Sequence, residues 1–211
     1  MAKLLPLLLD LEGKTVVIFG GGAVGERKAR LFSQYAHTVV VSMEFTEGLD
    51  ALGKEGRVEL VRGRIDDDII GKLIGTAFIV VPATGDSSLN EQIACAARRE
   101  GKLLDLVEGI GDVVVPSVIR RGDLTIGIST LGSSPALSKY VRLKIEKVIT
   151  HEYGDMARLQ SDVRELLKKR VGSQELRKKI LWDILMDEKV WEELSLSYEK
   201  AYNTALEHIP D

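Results

Sequence analysis

Apolar positions follow two different periods along this chain. In the first half, short apolar runs recur at Thr15 to Phe19, Thr38 to Val41, Arg57 to Val61, Ala77 to Val81 and Leu103 to Val107. Segments of helical length fall between several of them: an amphipathic stretch to Tyr35, then Asp66 to Ile74, then a stretch from Ser87 or Ser88 to Glu100. Alternation of strand and helix predicts a parallel sheet. The run Ala77 to Val81 is apolar throughout, as suits a strand covered on both faces. Ala29, Leu31, Phe32 and Tyr35 are spaced to cover the sheet from the first helix. The acidic first turn of the helix at Asp66 suits the positive end of the helix dipole. Ser88 and Glu91 have capping-box spacing, and Gly101 stops that helix. Ahead of the first strand, the leucines of Leu4 to Leu11 are expected to cover an edge of the sheet, with Glu12-Gly13 turning into it.

The period changes after Gly109. Val113 to Val118, interrupted by Pro116, and Leu124 to Ser129 read as strands joined across Arg120-Arg121-Gly122-Asp123. With no helix between them they predict an antiparallel pair outside the parallel sheet. Ser134-Pro135 is a helix start, serine as cap and proline in the first turn. From there to His208 the period is helical, with breaks expected at Gly154 and Gly172-Ser173. The expected class is α/β: a Rossmann-like domain over 1–112, a small β region over 113–149, and a helical domain over 150–211.

Chemistry enters at the end of the first strand. Phe19 is followed by Gly20, Gly21, Gly22, Ala23, Val24 and Gly25, so Gly20, Gly22 and Gly25 form G-x-G-x-x-G between a strand and a helix. One glycine makes the tight turn, one admits a pyrophosphate to the backbone, and one packs helix on strand. The phosphates then meet unpaired N–H groups at a helix N-terminus. An acidic residue about 20 positions on usually holds the ribose hydroxyls. Ser42 stands closest to that point, and Glu44 two residues later is the candidate, a solvated loop carboxylate being the other reading.

Composition removes several classes. A net charge of −3 gives no electrostatic case for a nucleic-acid partner. Cys95 is the only cysteine, which excludes a disulfide framework or thiolate cluster and suggests a small buried hydrophobe. No stretch reaches the roughly 18 apolar residues of a membrane span, and the segment before Lys14 is interrupted by Pro6 and Asp10. A soluble, cytoplasmic protein is expected. His37, His151 and His208 lack ligand spacing, so no resident metal is expected. Tyr140 and Lys144 form Y-x-x-x-K, but on an amphipathic helix this spacing marks neighbours on one face.

GGGAVGERKARL after the first strand, ATGDSSLN after the fourth, Val114-x-Pro116-Ser117-x-Ile119, and ISTLGSSPALSK occur in that order. Together they resemble the precorrin-2 dehydrogenase and sirohydrochlorin ferrochelatase family, the N-terminal module of siroheme synthase. The resemblance implies a homodimer that oxidises precorrin-2 to sirohydrochlorin with NAD, and in bifunctional members inserts ferrous iron. By matched position, Ala23 and Val24, Glu44 and Phe45 would line the dinucleotide, with Ala83, Thr84 and Asp86 near it. The family's catalytic carboxylate is an aspartate closing N-V-V-D, which falls here on Glu108 of Asp105-Leu106-Val107-Glu108. The segment to Pro116 is shorter than the usual pattern, so Asp105 or Asp112 are alternatives. Precorrin-2 carries eight carboxylates. Ser129, Ser133, Ser134 and Arg120 are the candidates to meet them, with Arg121, Lys139 and Arg142 nearby in sequence. A reading from another class is a regulatory NAD-sensing module without tetrapyrrole chemistry.

Overall fold

A computed structural model of the chain describes residues 4–210. It divides into two compact units, one ending at Val115 and the other beginning at Pro116. The segments expected at 113–149 and 150–211 thus fall mostly together in the second unit.

In the first unit, β1 (Thr15–Phe19), α1 (Ala23–Phe32), β2 (His37–Ser42), α2 (Glu47–Lys54), β3 (Glu59–Arg62), α3 (Asp67–Thr76), β4 (Ile79–Pro82), α4 (Ser87–Arg99) and β5 (Leu103–Leu104) succeed one another. The strands form one parallel sheet in the order β3-β2-β1-β4-β5. Alternate residues of each strand serve opposite faces. Val16, Ile18, Val40, Ile79 and Val81 pack under Ala29, Phe32, Leu49 and Leu52 of α1 and α2. Val17, Phe19, Val39, Val41 and Val80 pack under Ile70, Ile74, Ile93 and Ala97 of α3 and α4. This double cover is why the inner strands carry no polar alternation.

Several expectations need correction. Leu5, Leu7 and Leu8 are 75%, 70% and 88% exposed and cover nothing in this unit, while Leu11 alone of that segment joins the core. The first helix ends at Phe32, and Tyr35 is exposed. Ser88 does not cap the helix of Glu91. Asp86 does, its carboxylate accepting from Ser88 N–H at 2.8 Å and Leu89 N–H at 3.2 Å, while Glu91 turns to Arg98. An aspartate two residues earlier reaches both orphan N–H groups with one oxygen and so displaces the box. Cys95 is exposed rather than buried, because Ile93, Ala94 and Ala97 occupy the inward face of α4.

The fifth strand is shorter than its apolar run. Asp105 N–H still donates to Val80 O at 3.1 Å, and then Leu106 and Val107 leave the sheet. Val113 N–H donates to Leu104 O at 3.0 Å and Leu104 N–H to Asp112 Oδ2 at 3.2 Å, so the returning chain closes the open edge of β5. Residues 113–115 are used there. The next strand therefore starts at Ser117 and not Val113.

The second unit opens on an antiparallel hairpin, β6 (Ser117–Arg121) and β7 (Leu124–Ile128), with Ile119 opposite Ile126. Then come α5 (Pro135–Ile145), α6 (Glu152–Arg170), α7 (Gln174–Met186), α8 (Glu188–Leu194) and α9 (Tyr198–Leu206). Ser134, Ser173, Asp187 and Ser197 cap α5, α7, α8 and α9 through side-chain oxygens. Met156, Leu159, Val163 and Leu167 of α6 meet Ile180, Ile184, Val190, Ala201 and Ala205 in one core. Gly172-Ser173 is a break as expected, whereas Gly154 lies inside the first turn of α6. A Cβ there would stand 2.7 Å from the Arg121 carbonyl carbon, so this glycine serves close approach to the hairpin turn. Among the described residues no helix is long and apolar enough to cross a membrane.

Candidate active site

All strands of the first sheet run in one direction, so the loops leaving their carboxyl ends gather along one edge. The order reverses between β1 and β4, and open α/β sheets bind ligands in the crevice at such a reversal. The turn after β1 lies beside that crevice, and its glycines have separable tasks. Gly20 has φ +125°, and a Cβ on it would lie 2.3 Å from Ala83 O. Gly25 would strike Gly20 O at 2.0 Å, which lets α1 begin hard against the turn. Gly21, not singled out in the sequence, would strike Glu44 O at 2.1 Å and holds the β2 loop, with Thr46 N–H donating to Gly21 O at 3.1 Å. Gly22 has nothing within 4 Å of its missing Cβ.

Gly22 is also the N-cap of α1 and offers no side-chain bond to the first turn. The N–H groups of Ala23, Val24 and Gly25 therefore lack the partner a serine would give, beside an open approach at Gly22. That combination fits a diphosphate. Glu44 is exposed at the end of the β2 loop, and Phe45 lies under the Arg62 guanidinium at 5.0 Å. Arg62 also donates to Met43 O at 3.2 Å and approaches Asp50 at 3.7 Å.

After β4, Thr84 is locked from several sides. Its N–H donates to Asn90 Oδ1 at 3.0 Å, its hydroxyl lies 2.7 Å from the same oxygen, and Asn90 Nδ2 donates to Thr84 O at 3.1 Å. Asn90 was not singled out from sequence, although it closes ATGDSSLN. Asp86 is occupied as the α4 cap. Thr84, Asn90, Glu91, Leu106, Val107 and Glu108 line a cavity of about 320 Å³ beside this turn.

The carboxylates after β5 are distinct in kind. Asp105 is 2% exposed, and Lys28 Nζ lies 2.5 Å from its Oδ2. Burial raises its pKa, against the pull of the Lys28 charge. Asp112 holds Leu104 N–H. Glu108 is exposed, and of these carboxylates it alone lines the cavity that Thr84 lines. Lys28 lies outside the three-glycine fingerprint but inside GGGAVGERKARL, the segment that carries part of the resemblance, and no role was assigned to it.

In the second unit three of the expected substrate residues, Ser129, Ser133 and Ser134, lie in the segment between β7 and α5, and Arg120 lies on β6. Ser129 Oγ accepts from Leu131 N–H at 3.0 Å, steadying a residue at φ +51°. Ser134 caps α5 by accepting from Leu137 N–H at 3.2 Å, and Ser133 is exposed beside it. Thr130, absent from the sequence candidates, holds the turn: its hydroxyl lies 3.0 Å from Ser134 N and 3.1 Å from Ser138 Oγ. Arg120 is exposed on β6, whereas Arg121 Nε donates to Ile149 O at 3.0 Å. Lys144 stacks over Tyr140 at 5.5 Å, a surface pair. Among the described residues no His, Cys, Asp and Glu cluster could hold a metal ion.

These features define a dinucleotide-binding protein of the Rossmann type, with a hairpin and helical unit attached. A family model described as NAD(P)-binding matches residues 7–117, and one for the central part of sirohaem biosynthesis proteins matches residues 121–147. Precorrin-2 dehydrogenase of Methanosarcina barkeri is 52% identical over 95% of this chain and 91% of its own. Siroheme synthase of Salmonella schwarzengrund is 28% identical over 97% of this chain, which spans 45% of that protein's length. The solved structure of SirC, a precorrin-2 dehydrogenase, superimposes with a TM-score of 0.77 at 22% identity, over 98% of this chain and all of that one, and so shares the fold. The chain belongs to the precorrin-2 dehydrogenase family.

Proposed function

We propose that this protein oxidises precorrin-2 to sirohydrochlorin with NAD⁺. The observation that carries the reading is Glu108, an exposed carboxylate lining one cavity with Thr84, in a chain 52% identical to a precorrin-2 dehydrogenase. The oxidation removes a hydride and a proton from the macrocycle. A nicotinamide ring supplies the hydride acceptor. Glu108 takes the proton, and its exposed position lets it hand that proton on to water. The Thr84–Asn90 lock fixes part of the wall of the same cavity, and the first turn of α1 supplies N–H groups for the diphosphate.

The β2 loop supports NAD over NADP. Glu44 accepts from ribose hydroxyls there, and would repel a 2′-phosphate. Arg62, the nearest cation in register, is already committed to Met43 O, the Phe45 ring and Asp50. For the substrate, Arg120 and the Ser129, Ser133 and Ser134 turn present positive charge and donors to carboxylates. A homodimer is proposed through the second unit, where Val118, Leu137, Tyr140, Leu143 and Val148 are all exposed.

An anaerobic absorbance assay tests the reading. Purified protein, precorrin-2 and NAD⁺ should give the sirohydrochlorin spectrum, and omission of NAD⁺ should abolish it. Ferrous iron added afterwards is a second substrate, and protein-dependent siroheme formation faster than the metal alone would establish chelation by the same site. No spectral change with NAD⁺ or NADP⁺ would overturn the dehydrogenase and leave a dinucleotide-sensing module.

A further inference from the structure

We propose that the buried Lys28–Asp105 ion pair is a positioning device, coupling the dinucleotide-binding helix to the loop that carries Glu108. The inference rests on the catalytic reading of Glu108 given above. Lys28 Nζ reaches Asp105 Oδ2 at 2.5 Å, with the two side chains 13% and 3% exposed. A buried pair of this kind adds little stability over apolar side chains of equal volume, because desolvating both charges offsets their attraction. What it does supply is direction. A charge-assisted bond holds one atom against one atom, where an apolar contact would allow sliding.

The pair lies where direction matters. Lys28 stands just over one turn into α1, whose start is pinned to the glycine turn by the close approach of Gly25 and Gly20. Asp105 is the last residue to hydrogen-bond to β4, and the three residues after it end in Glu108. The far end of the loop is fastened separately, by Asp112 to Leu104 N–H and by Val113 N–H to Leu104 O. A Cβ on Gly111 would stand 2.3 Å from Leu104 O, so the returning chain lies flat on β5. Residues 106–110 thus span two anchors, and one of these is a side chain of the cofactor helix. Neither Lys28 nor Asp105 lines the cavity. They act through Glu108, aligning it when the first turn of α1 takes up the diphosphate. Burial raises the Asp105 pKa against the pull of Lys28 and Arg27.

The test compares the full-length protein with the double variant K28M/D105L, and with D105N should the double variant fold poorly. Hydrogen–deuterium exchange of residues 106–111 is measured with and without NAD⁺. In the unaltered protein NAD⁺ slows exchange of this loop, and in the variant that response is lost. NAD⁺ affinity by calorimetry stays within about threefold, since no contact to the ligand is removed. The kcat falls about 10- to 100-fold with KM for NAD⁺ little changed, as expected for a misplaced catalytic group. Unaltered kcat and an unaltered NAD⁺ response of the loop in a folded variant would overturn the coupling. E108Q separates the two ideas. If E108Q keeps full activity, the role of Glu108 as base is wrong, while the exchange measurement still decides whether α1 and the loop are coupled.

Discussion

Gly20→Ala and Gly22→Ala, two residues apart in one motif, should fail in different ways. At Gly20 the backbone has φ +125°, a region open to glycine almost alone, and a new Cβ would lie 2.3 Å from Ala83 O and 2.6 Å from Ala83 C. Those atoms are backbone held in the sheet, since Ala83 N–H donates to Phe19 O at 2.8 Å, so they cannot swing aside. Backbone strain of this kind costs about 1–3 kcal/mol, and forcing atoms into filled space costs about 1–3 kcal/mol more. Against a typical total of about 5–15 kcal/mol this is severe, a fall in Tm of roughly 10 °C or more. Gly22 has φ −82° and open space around it, so Gly22→Ala should alter stability by no more than about 0.5 kcal/mol. Its methyl group would instead occupy the diphosphate approach, and losing a charge-assisted contact of about 1.5–3 kcal/mol weakens NAD⁺ binding about 10- to 100-fold. Thermal unfolding should be followed by far-UV circular dichroism, because Trp182 and Trp191 both lie in the second unit. Calorimetric titration gives the affinity. A wild-type Tm for Gly20→Ala, or equal destabilisation by both variants, would refute the division of labour.

Glu44→Ser should raise KM for NAD⁺ about tenfold through the lost ribose bonds and relax the bias against NADP⁺; unchanged KM for both cofactors would remove Glu44 from the site. Glu108→Asp should lower kcat about 10-fold or more by withdrawing the carboxylate, read in steady-state turnover of precorrin-2. His208 lies 2.8 Å from Asp187 Oδ2, and that hydrogen bond holds the Asp187 pKa below the usual carboxylate value. A depressed carboxylate pKa contributes stability above the unfolded value near about 3.9, which is lost as pH falls through the folded pKa. His208→Ala should therefore cost at most about 1 kcal/mol in denaturant titrations near neutrality and progressively less below pH of about 4. Cys95 is exposed and should react fully with a thiol reagent in the native protein.

The parallel sheet was legible because its signal is redundant. Val16 to Phe19, Val39 to Val41 and Ile79 to Val81 are apolar on both faces, and only double cover buries such strands. The glycine turn was legible because one residue type answers three separate steric demands there. Caps were partly so: Ser134 and Ser173 stand immediately before their helices, but Asp86 and Ser88 compete for one start, and only geometry decides which oxygen reaches two N–H groups. Boundaries that depend on distant partners were not legible. Leu103 to Val107 has the composition of a full strand, yet it bonds to β4 only as far as Asp105, and Asp112 and Val113 take up the Leu104 N–H and C=O on its open edge. Nor does composition reveal that Gly154 answers to Arg121 across a hairpin, or that Lys28 answers to Asp105.

That same stretch explains the residue chosen for the carboxylate. The segment from Asp105 to Pro116 is shorter than the pattern the family shows, and the structure fastens it at both ends to β5. A shorter span between fixed anchors projects its tip less far into the crevice. A glutamate carries its carboxylate one methylene further than an aspartate, and so restores reach that the backbone gives up. On the proposed role of Glu108, loop length and side-chain length are then one compensated quantity, and a residue that departs from the family pattern can serve as the proposed proton acceptor.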